Sequence, residues 1–206
     1  MTLSKLQYIS QGVTAAEQYD AIQQALDHGA DWIQLRWKNA TDEERFRLAE
    51  KVRRQCQRYG ALCIINDSVD LAKAVDADGV HLGLEDESIE KARHVLGADK
   101  IVGGTANTIT HVVKRIREGC DYIGLGPYRQ TFTKEKLSPI LGVAGYQKII
   151  ADLKKEDISF PAIYAIGGIG LPDIPALLEE GVYGVAVSKA ITETPEAIVE
   201  FKQLLS

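Results

Sequence analysis

Apolar residues along this chain fall into two alternating rhythms. Runs of four or five consecutive apolar positions, rich in β-branched residues, are followed by longer stretches in which apolar residues recur three and four apart. The first rhythm fits a strand buried on both faces, the second an amphipathic helix. Residues 62–86 show both. The run from Leu62 to Ile65 stops at Asn66 and Asp67, and a short helical pattern follows (Val69, Leu71, Ala72, Ala74, Val75). A second run, from Gly79 to Gly83, then stops at Glu85 and Asp86. A helix between two such strands makes them parallel, so both end on the same side of the sheet. Asp67 and Asp86 are therefore expected side by side at the carboxyl edge.

The same alternation runs the length of the chain. Strands are predicted at 6–10, 32–36, 62–65, 79–83, 101–105, 122–127, 162–166 and 184–188. Helices are predicted at 15–28, 42–59, 69–75 and 87–96, then from an Asn107 or Thr108 cap to Glu118, and at 142–155, 171–180 and 195–204. Gly29, Gly60, Gly97 and Gly119 are helix stops, because glycine tolerates the left-handed conformation that follows a helix. Thr41 with Glu44 reads as a capping box, and Pro172 sits in a first turn where proline is tolerated. The longest irregular connection is 128–141, well beyond the usual strand-to-helix loop, which makes it a candidate ligand loop or lid.

Alternating units of about 26 residues, eight in all and with no linker or repeat between them, predict a single-domain α/β fold over residues 1–206, a closed (β/α)8 TIM barrel. The competing architecture is an open doubly wound sheet. No GxGxxG follows the first strand, and polar residues gather after nearly every strand rather than at one switch point, so the barrel is preferred. Its chemistry is then expected on the carboxyl-terminal face.

Composition narrows the function. A chain of 206 residues, 45% hydrophobic, can bury one substantial core. The net charge of −5 is scattered, with no basic stripe for nucleic acid. Cys56, Cys63 and Cys120 are widely spaced and form no CxxC, which argues against a disulfide framework or a zinc site and fits a reducing cytoplasm. The segment MTLSKLQYISQG has no signal-peptide core, and no stretch approaches the roughly 18 apolar residues of a membrane span. A cytoplasmic protein acting on small molecules is expected, with a homo-oligomer as the further option.

The polar residues at the predicted strand ends carry the chemistry. Asp67 and Asp86 suit a hard divalent cation such as Mg²⁺, which takes oxygen ligands and keeps water and phosphate oxygens for the rest of its shell. Gln34, Arg36 and Lys38 alternate along one strand end and share a side. With Asn66 they could hold a Mg²⁺–diphosphate, although a plain salt bridge to the nearby carboxylates would gather the same charges. Gly167-Gly168-Ile169-Gly170, with the eighth strand up to Ser188, matches the recurrent phosphate cup of the last two barrel units. Thr131, Thr133 and Lys134 in the long loop could close over phosphate, or the loop could be plain surface. Asp76 and Asp78 fall at the amino end of a strand, away from the chemistry. His81 is expected as a hydrogen-bonded barrel-layer residue, and His28, His94 and His111 as exposed helix residues. Cys63 and Cys120 read as buried small hydrophobes. No Ser–His–Asp set emerges.

These residues occur in segments that resemble the thiamine-phosphate synthase (thiamine-phosphate pyrophosphorylase) family over essentially the whole chain. The segments are QLRWK, IINDSVDLA, ADGVHLG followed by Glu85-Asp86, DYIGLGP, TFTK with Pro139 downstream, AIGGI and GVAVS. The resemblance implies a transferase. It joins 4-amino-2-methyl-5-hydroxymethylpyrimidine diphosphate to 4-methyl-5-(2-phosphoethyl)thiazole, giving thiamine phosphate and diphosphate. By the same resemblance Asp67 and Asp86 bind Mg²⁺, and Gln34, Arg36, Lys38 and Asn66 hold the pyrimidine diphosphate. Thr105 sits by the pyrimidine, and Thr131, Thr133 and Lys134 meet phosphate. Gly168, Ser188 and Lys189 cup the thiazole phosphate. Arg36, Lys38 and Lys134 become the catalytic cations, stabilising charge on the departing diphosphate, while the thiazole nitrogen captures the pyrimidine cation. Three positions depart from the family's habits: Leu84 where glutamine is frequent, Thr105 where serine is common, and Lys189 after Ser188 where many members read V-S-A-I. The alternatives are a thiazole tautomerase-like barrel, a non-catalytic sensor of thiamine precursors, and another phosphate-binding isomerase, which would need a poised base.

Overall fold

A computed structural model of the chain describes residues 3–130 and 139–206. Its strands are β1 (Leu6–Ile9), β2 (Trp32–Leu35), β3 (Leu62–Asn66), β4 (Gly79–Leu82), β5 (Ile101–Ala106), β6 (Tyr122–Leu125), β7 (Ala162–Ile166) and β8 (Gly184–Val187). Each pairs in parallel with its sequence neighbours, and β8 returns to β1 through Tyr8↔Val187, closing the barrel. The expected (β/α)8 architecture is what the chain forms. The helices are α1 (Ala15–Asp27), α2 (Asp42–Tyr59), α3 (Val69–Ala74), α4 (Ile89–Leu96), α5 (Ile109–Arg117), α6 (Gly142–Lys155), α7 (Ile174–Glu179), α8 (Lys189–Glu193) and α9 (Ala197–Leu205).

Local chemistry sets these boundaries. The Thr41–Glu44 capping box opens α2, and Gly60, in the left-handed region, closes it. Ser88 caps α4 two residues later than the hydrophobic pattern suggests. Thr108, not Asn107, caps α5; the Asn107 amide instead donates to the Gly126 carbonyl. The predicted helix at 171–180 is a 3-10 turn, Leu171–Asp173, followed by α7. The short α8 was not foreseen, because five residues are too few to show a period. No helix among the described residues is long and apolar enough to cross a membrane.

The pleat sorts side chains into two cores. Outward positions pack against the helices in one continuous layer, including Ile33, Cys63, Ile65, Val80 and Val102. Inside the barrel, Trp32, Ile64, Tyr122 and Tyr164 fill the amino-terminal end. The three rings meet edge to face, with Trp32 4.9 Å from Tyr122 and 5.0 Å from Tyr164, an arrangement favoured by the ring quadrupoles. Gln34 and Asn66 each lie two residues beyond a member of this plug, so they occupy the next layer up, towards the carboxyl-terminal mouth.

The amino-terminal rim is tied by carboxylates, as expected for Asp78. Its Oδ2 accepts from the Cys63 N–H at 2.8 Å, and Asp121 Oδ2 likewise accepts from the Val102 N–H at 2.6 Å. Asp76 pairs with Lys100. All three cysteines are free and buried.

Two adjacent glycines in β5 serve opposite faces. A Cβ at Gly103 would lie 2.2 Å from the Tyr122 ring inside the barrel, and one at Gly104 would lie 2.8 Å from Arg115 Cδ outside it. The pair makes room for a phenol on one side and a guanidinium on the other.

Candidate active site

The site assembles at the carboxyl ends of β2, β3 and β4. Gln34 Nε2 donates to Asn66 Oδ1 at 2.7 Å. One residue on, Asp67 adopts a left-handed backbone (φ 68°) while its N–H still donates to the His81 carbonyl. Aspartate tolerates this conformation better than most residues. The twist takes the Asp67 side chain out of the pleat alternation and towards β4.

There it meets two partners. Lys38 Nζ lies 3.3 Å from Asp67 Oδ2, and the Asp86 carboxyl lies within hydrogen-bonding reach of Asp67. Asp86 is held by the Gly83 N–H, which donates to its Oδ2 at 2.6 Å. Burial, then the hydrogen bond and charge of Asp67, push the Asp86 carboxyl above the ordinary aspartate range; the Gly83 N–H and Lys38 pull the other way. Two carboxylates so close resist joint ionisation unless a cation sits between them. The expected convergence of Asp67 and Asp86 is thus what the fold produces.

Arg36 stands beside this pair. Its backbone is pinned on both sides: its N–H donates to Ser10 Oγ at 2.9 Å, and its carbonyl accepts from Gln18 Nε2 at 3.2 Å. Burial lowers the pKa of the half-buried guanidinium, an effect that the charge of Asp67 opposes. Among the described residues the guanidinium makes no hydrogen bond and no ion pair. A cleft of about 520 Å³ opens over Lys38, Asn66, Asp67 and Asp86. No group of three or more His, Cys, Asp or Glu residues suited to a metal exists among the described residues.

Thr105 lies on the far wall, buried, with Oγ1 2.9 Å from His81 Nε2. His81 is a hydrogen-bonded barrel-layer residue, as its position in the strand suggested. Of the three histidines expected to be exposed, only His94 is; His28 and His111 are half-buried, and His111 Nδ1 is buried without a partner among the described residues.

The glycine segment after β7 holds Gly167 and Gly168 at positive φ (89° and 76°). It is laced to the loop after β6. The Tyr128 N–H donates to the Ile166 carbonyl at 2.8 Å, and the Arg129 N–H to the Gly167 carbonyl at 3.1 Å. The Arg129 guanidinium spans the Gly168 carbonyl (2.9 Å) and Asp173 (2.7 Å), lying 4.8 Å from the Tyr128 ring centre. Asp173 also takes the Gly170 N–H. Ser188 precedes α8 at the neighbouring strand end, and the Lys189 side chain turns outward to Glu193, one turn on. Thr131, Thr133 and Lys134 lie outside the described residues. No described contact joins the acidic cluster directly to the glycine segment.

The thiamine monophosphate synthase family model matches residues 7–191, nine-tenths of the chain. The chain belongs to the thiamine monophosphate synthase family. A thiamine-phosphate synthase from Flavobacterium johnsoniae is 54% identical over 201 residues, covering 98% of this chain and 94% of that protein. One from Flavobacterium psychrophilum is 52% identical, covering 98% and 97%. Among solved structures, thiamine phosphate pyrophosphorylase from Pyrococcus furiosus superposes with a TM-score of 0.82 at 30% identity, covering 98% and 97% of the two chains.

Sequence reasoning missed several residues that shape the site of this family member. Ser10 and Gln18 pin Arg36, Arg115 braces the ends of β4 and β5, and Arg129 with Asp173 holds the glycine segment. Arg115 had one usable signal: it falls on the inward stripe of α5 with Val112, where a charged residue needs a buried partner.

Proposed function

We propose that this chain is a thiamine-phosphate synthase, condensing the pyrimidine diphosphate with the thiazole phosphate at the mouth of the barrel. The observation that carries the reading is the pairing of Asp67 with Asp86 beside a half-buried Arg36 that feels the Asp67 charge but makes no ion pair among the described residues. A metal diphosphate would set a cation between the two carboxylates and an anion against Arg36 and Lys38.

Asp67 and Asp86 offer only carboxylate oxygens, and no third His, Cys, Asp or Glu among the described residues groups with them closely enough to complete a metal cluster. That donor set fits Mg²⁺, which leaves most of its shell to water and phosphate. Bound there, Mg²⁺ would neutralise charge developing on the leaving diphosphate. Arg36 and Lys38 act on the same oxygens, the first by a forked hydrogen bond and the second as a point charge. Lys134 joins them by family resemblance. Gln34 contributes differently. Its Nε2 is committed to Asn66, while its Oε1 is buried without a partner among the described residues, an acceptor suited to an exocyclic amino group on the pyrimidine. Loss of diphosphate leaves an aminopyrimidine cation, stabilised by its own nitrogen lone pairs, which the thiazole nitrogen captures. No protein nucleophile is required. The glycine segment with the Ser188 backbone takes the thiazole phosphate.

The decisive assay mixes the protein with both substrates and Mg²⁺ and detects thiamine phosphate. Binding of the pyrimidine diphosphate without any product would favour the sensor alternative.

The glycine segment gives a separate expectation. Arg129→Met frees the Gly168 carbonyl and Asp173, so the cup loses its brace. KM for the thiazole phosphate should rise by about tenfold, the worth of one charge-assisted hydrogen bond, with KM for the pyrimidine diphosphate little changed. Steady-state kinetics with each substrate varied in turn checks this, and equal rises in both KM values would remove the thiazole phosphate from the cup.

A further inference from the structure

Four buried polar side chains cross the barrel interior in a line that the chemistry above leaves unused below Thr105. Gln7 Nε2 lies 3.2 Å from the Tyr122 hydroxyl. That hydroxyl lies 3.0 Å from His81 Nδ1, and His81 Nε2 lies 2.9 Å from Thr105 Oγ1. All four residues are buried. The backbone is cut to accommodate them: a Cβ at Gly124 would lie 3.1 Å from His81 Cε1, and the Gly103 position is filled by the Tyr122 ring.

Proton counting gives the line a direction. The Gln7 amide nitrogen can only donate, so the Tyr122 oxygen accepts from it. A phenol has one proton, which is left for His81 Nδ1. Burial pushes the Tyr122 phenol well above its ordinary range, so that proton stays on. With Nδ1 accepting, the imidazole is neutral and carries its own proton on Nε2, where it donates to Thr105 Oγ1. The Thr105 proton is then left over, and no second partner takes it among the described residues.

We infer that Gln7, Tyr122 and His81 form a one-way hydrogen-bond relay that makes Thr105 a proton donor to the substrate, so that this wall selects a ring presenting a lone pair. The inference rests on the pyrimidine reading of the site, in which a ring nitrogen supplies that lone pair. Tyr122 and His81 are positioning residues: they act through the Thr105 hydroxyl. An analogue carrying N–H at that ring position could be met only by the remaining Thr105 lone pair, which leaves the hydroxyl proton buried without an acceptor, so it should bind more weakly.

The test begins with the unmodified protein. In ¹⁵N-histidine spectra, with His81→Gln used to assign the resonance, His81 should be neutral with its proton on Nε2. Tyr122→Phe keeps the ring in the aromatic plug but removes the donor to Nδ1, and the single tautomer should be lost. Kinetically, Tyr122→Phe and Thr105→Val should each lower kcat/KM for the pyrimidine diphosphate by about tenfold, the worth of one buried hydrogen bond. KM for the thiazole phosphate should hold. The double variant should be no worse than Thr105→Val alone, and Thr105→Ser, which keeps the hydroxyl, should recover most of the loss seen in Thr105→Val. A proton on Nδ1 in the unmodified protein, or losses that multiply in the double variant, overturns the relay. If the unmodified protein makes no thiamine phosphate, the functional reading fails, while the relay is still judged by the tautomer.

Discussion

Asp86→Asn is expected to make the metal-free protein more stable while lowering kcat/KM by on the order of 100- to 1,000-fold, the usual cost of removing one preorganised electrostatic group. The substitution keeps the side chain's shape and leaves an oxygen for the Gly83 N–H. It removes one of two negative charges that the fold holds against each other, so the metal-free melting temperature should rise. It also removes one of the two proposed metal ligands, so added Mg²⁺ should no longer raise that temperature. The pH dependence has a definite sign. The Asp86 pKa is raised in the folded state. Between the ordinary aspartate value and this raised one, the folded chain keeps a proton that the unfolded chain has released. The stability linked to that proton is therefore complete below the ordinary value and is lost as pH rises through the native one. Mg²⁺ binding, which needs both carboxylates ionised, should strengthen over the same window. Thermal melts with and without Mg²⁺ across that range check both statements. A melting temperature that falls on Asp86→Asn, with Mg²⁺ dependence retained, would falsify the paired-carboxylate reading.

Arg115→Met is expected to cost about 3–5 kcal/mol of stability, the usual price of breaking a buried charged network from one side. The guanidinium is only 2% exposed. It donates to the Gly83 carbonyl at 2.6 Å, to Leu82 at 3.4 Å and to Thr105 at 3.1 Å, and it pairs with Glu118 at 2.9 Å. Methionine fills much of the space but leaves three strand-end carbonyls and a carboxylate without their donor. For a chain of this size the melting temperature should drop by about 10 °C. Arg115→Lys should recover part of the loss, because an ammonium keeps the charge but cannot span three carbonyls. Chemical denaturation of both variants measures this, and a cost under about 1 kcal/mol would show that water replaces the guanidinium. Since Gly83 carries both the Arg115 contact and the N–H that fixes Asp86, weaker Mg²⁺ binding should accompany the lower stability.

The barrel and the acidic pair were legible in the sequence because both follow from simple periodicity. A strand ending at Asn66-Asp67, a helix, and a strand ending before Asp86 leave the two aspartates few places to go. Helix α6 and strand β7 came out residue for residue, since glycine and apolar runs bound them cleanly. What stayed hidden depends on contacts across the barrel. Nothing local marks Tyr122 as anything but a β-sheet aromatic, or Gln7 as anything but an interruption in a strand. Their meaning appears only when β1, β4, β5 and β6 face one another. Gly103 and Gly104 fall within β5, inside the strand predicted at 101–105, but nothing in the sequence says that they yield space to two large side chains.

The interlocked rings of Trp32, Tyr122 and Tyr164 make the barrel a cup with a sealed floor. Traffic has one doorway. Reactants and products alike must pass the carboxyl-terminal mouth, because the aromatic stopper leaves no second way through the barrel.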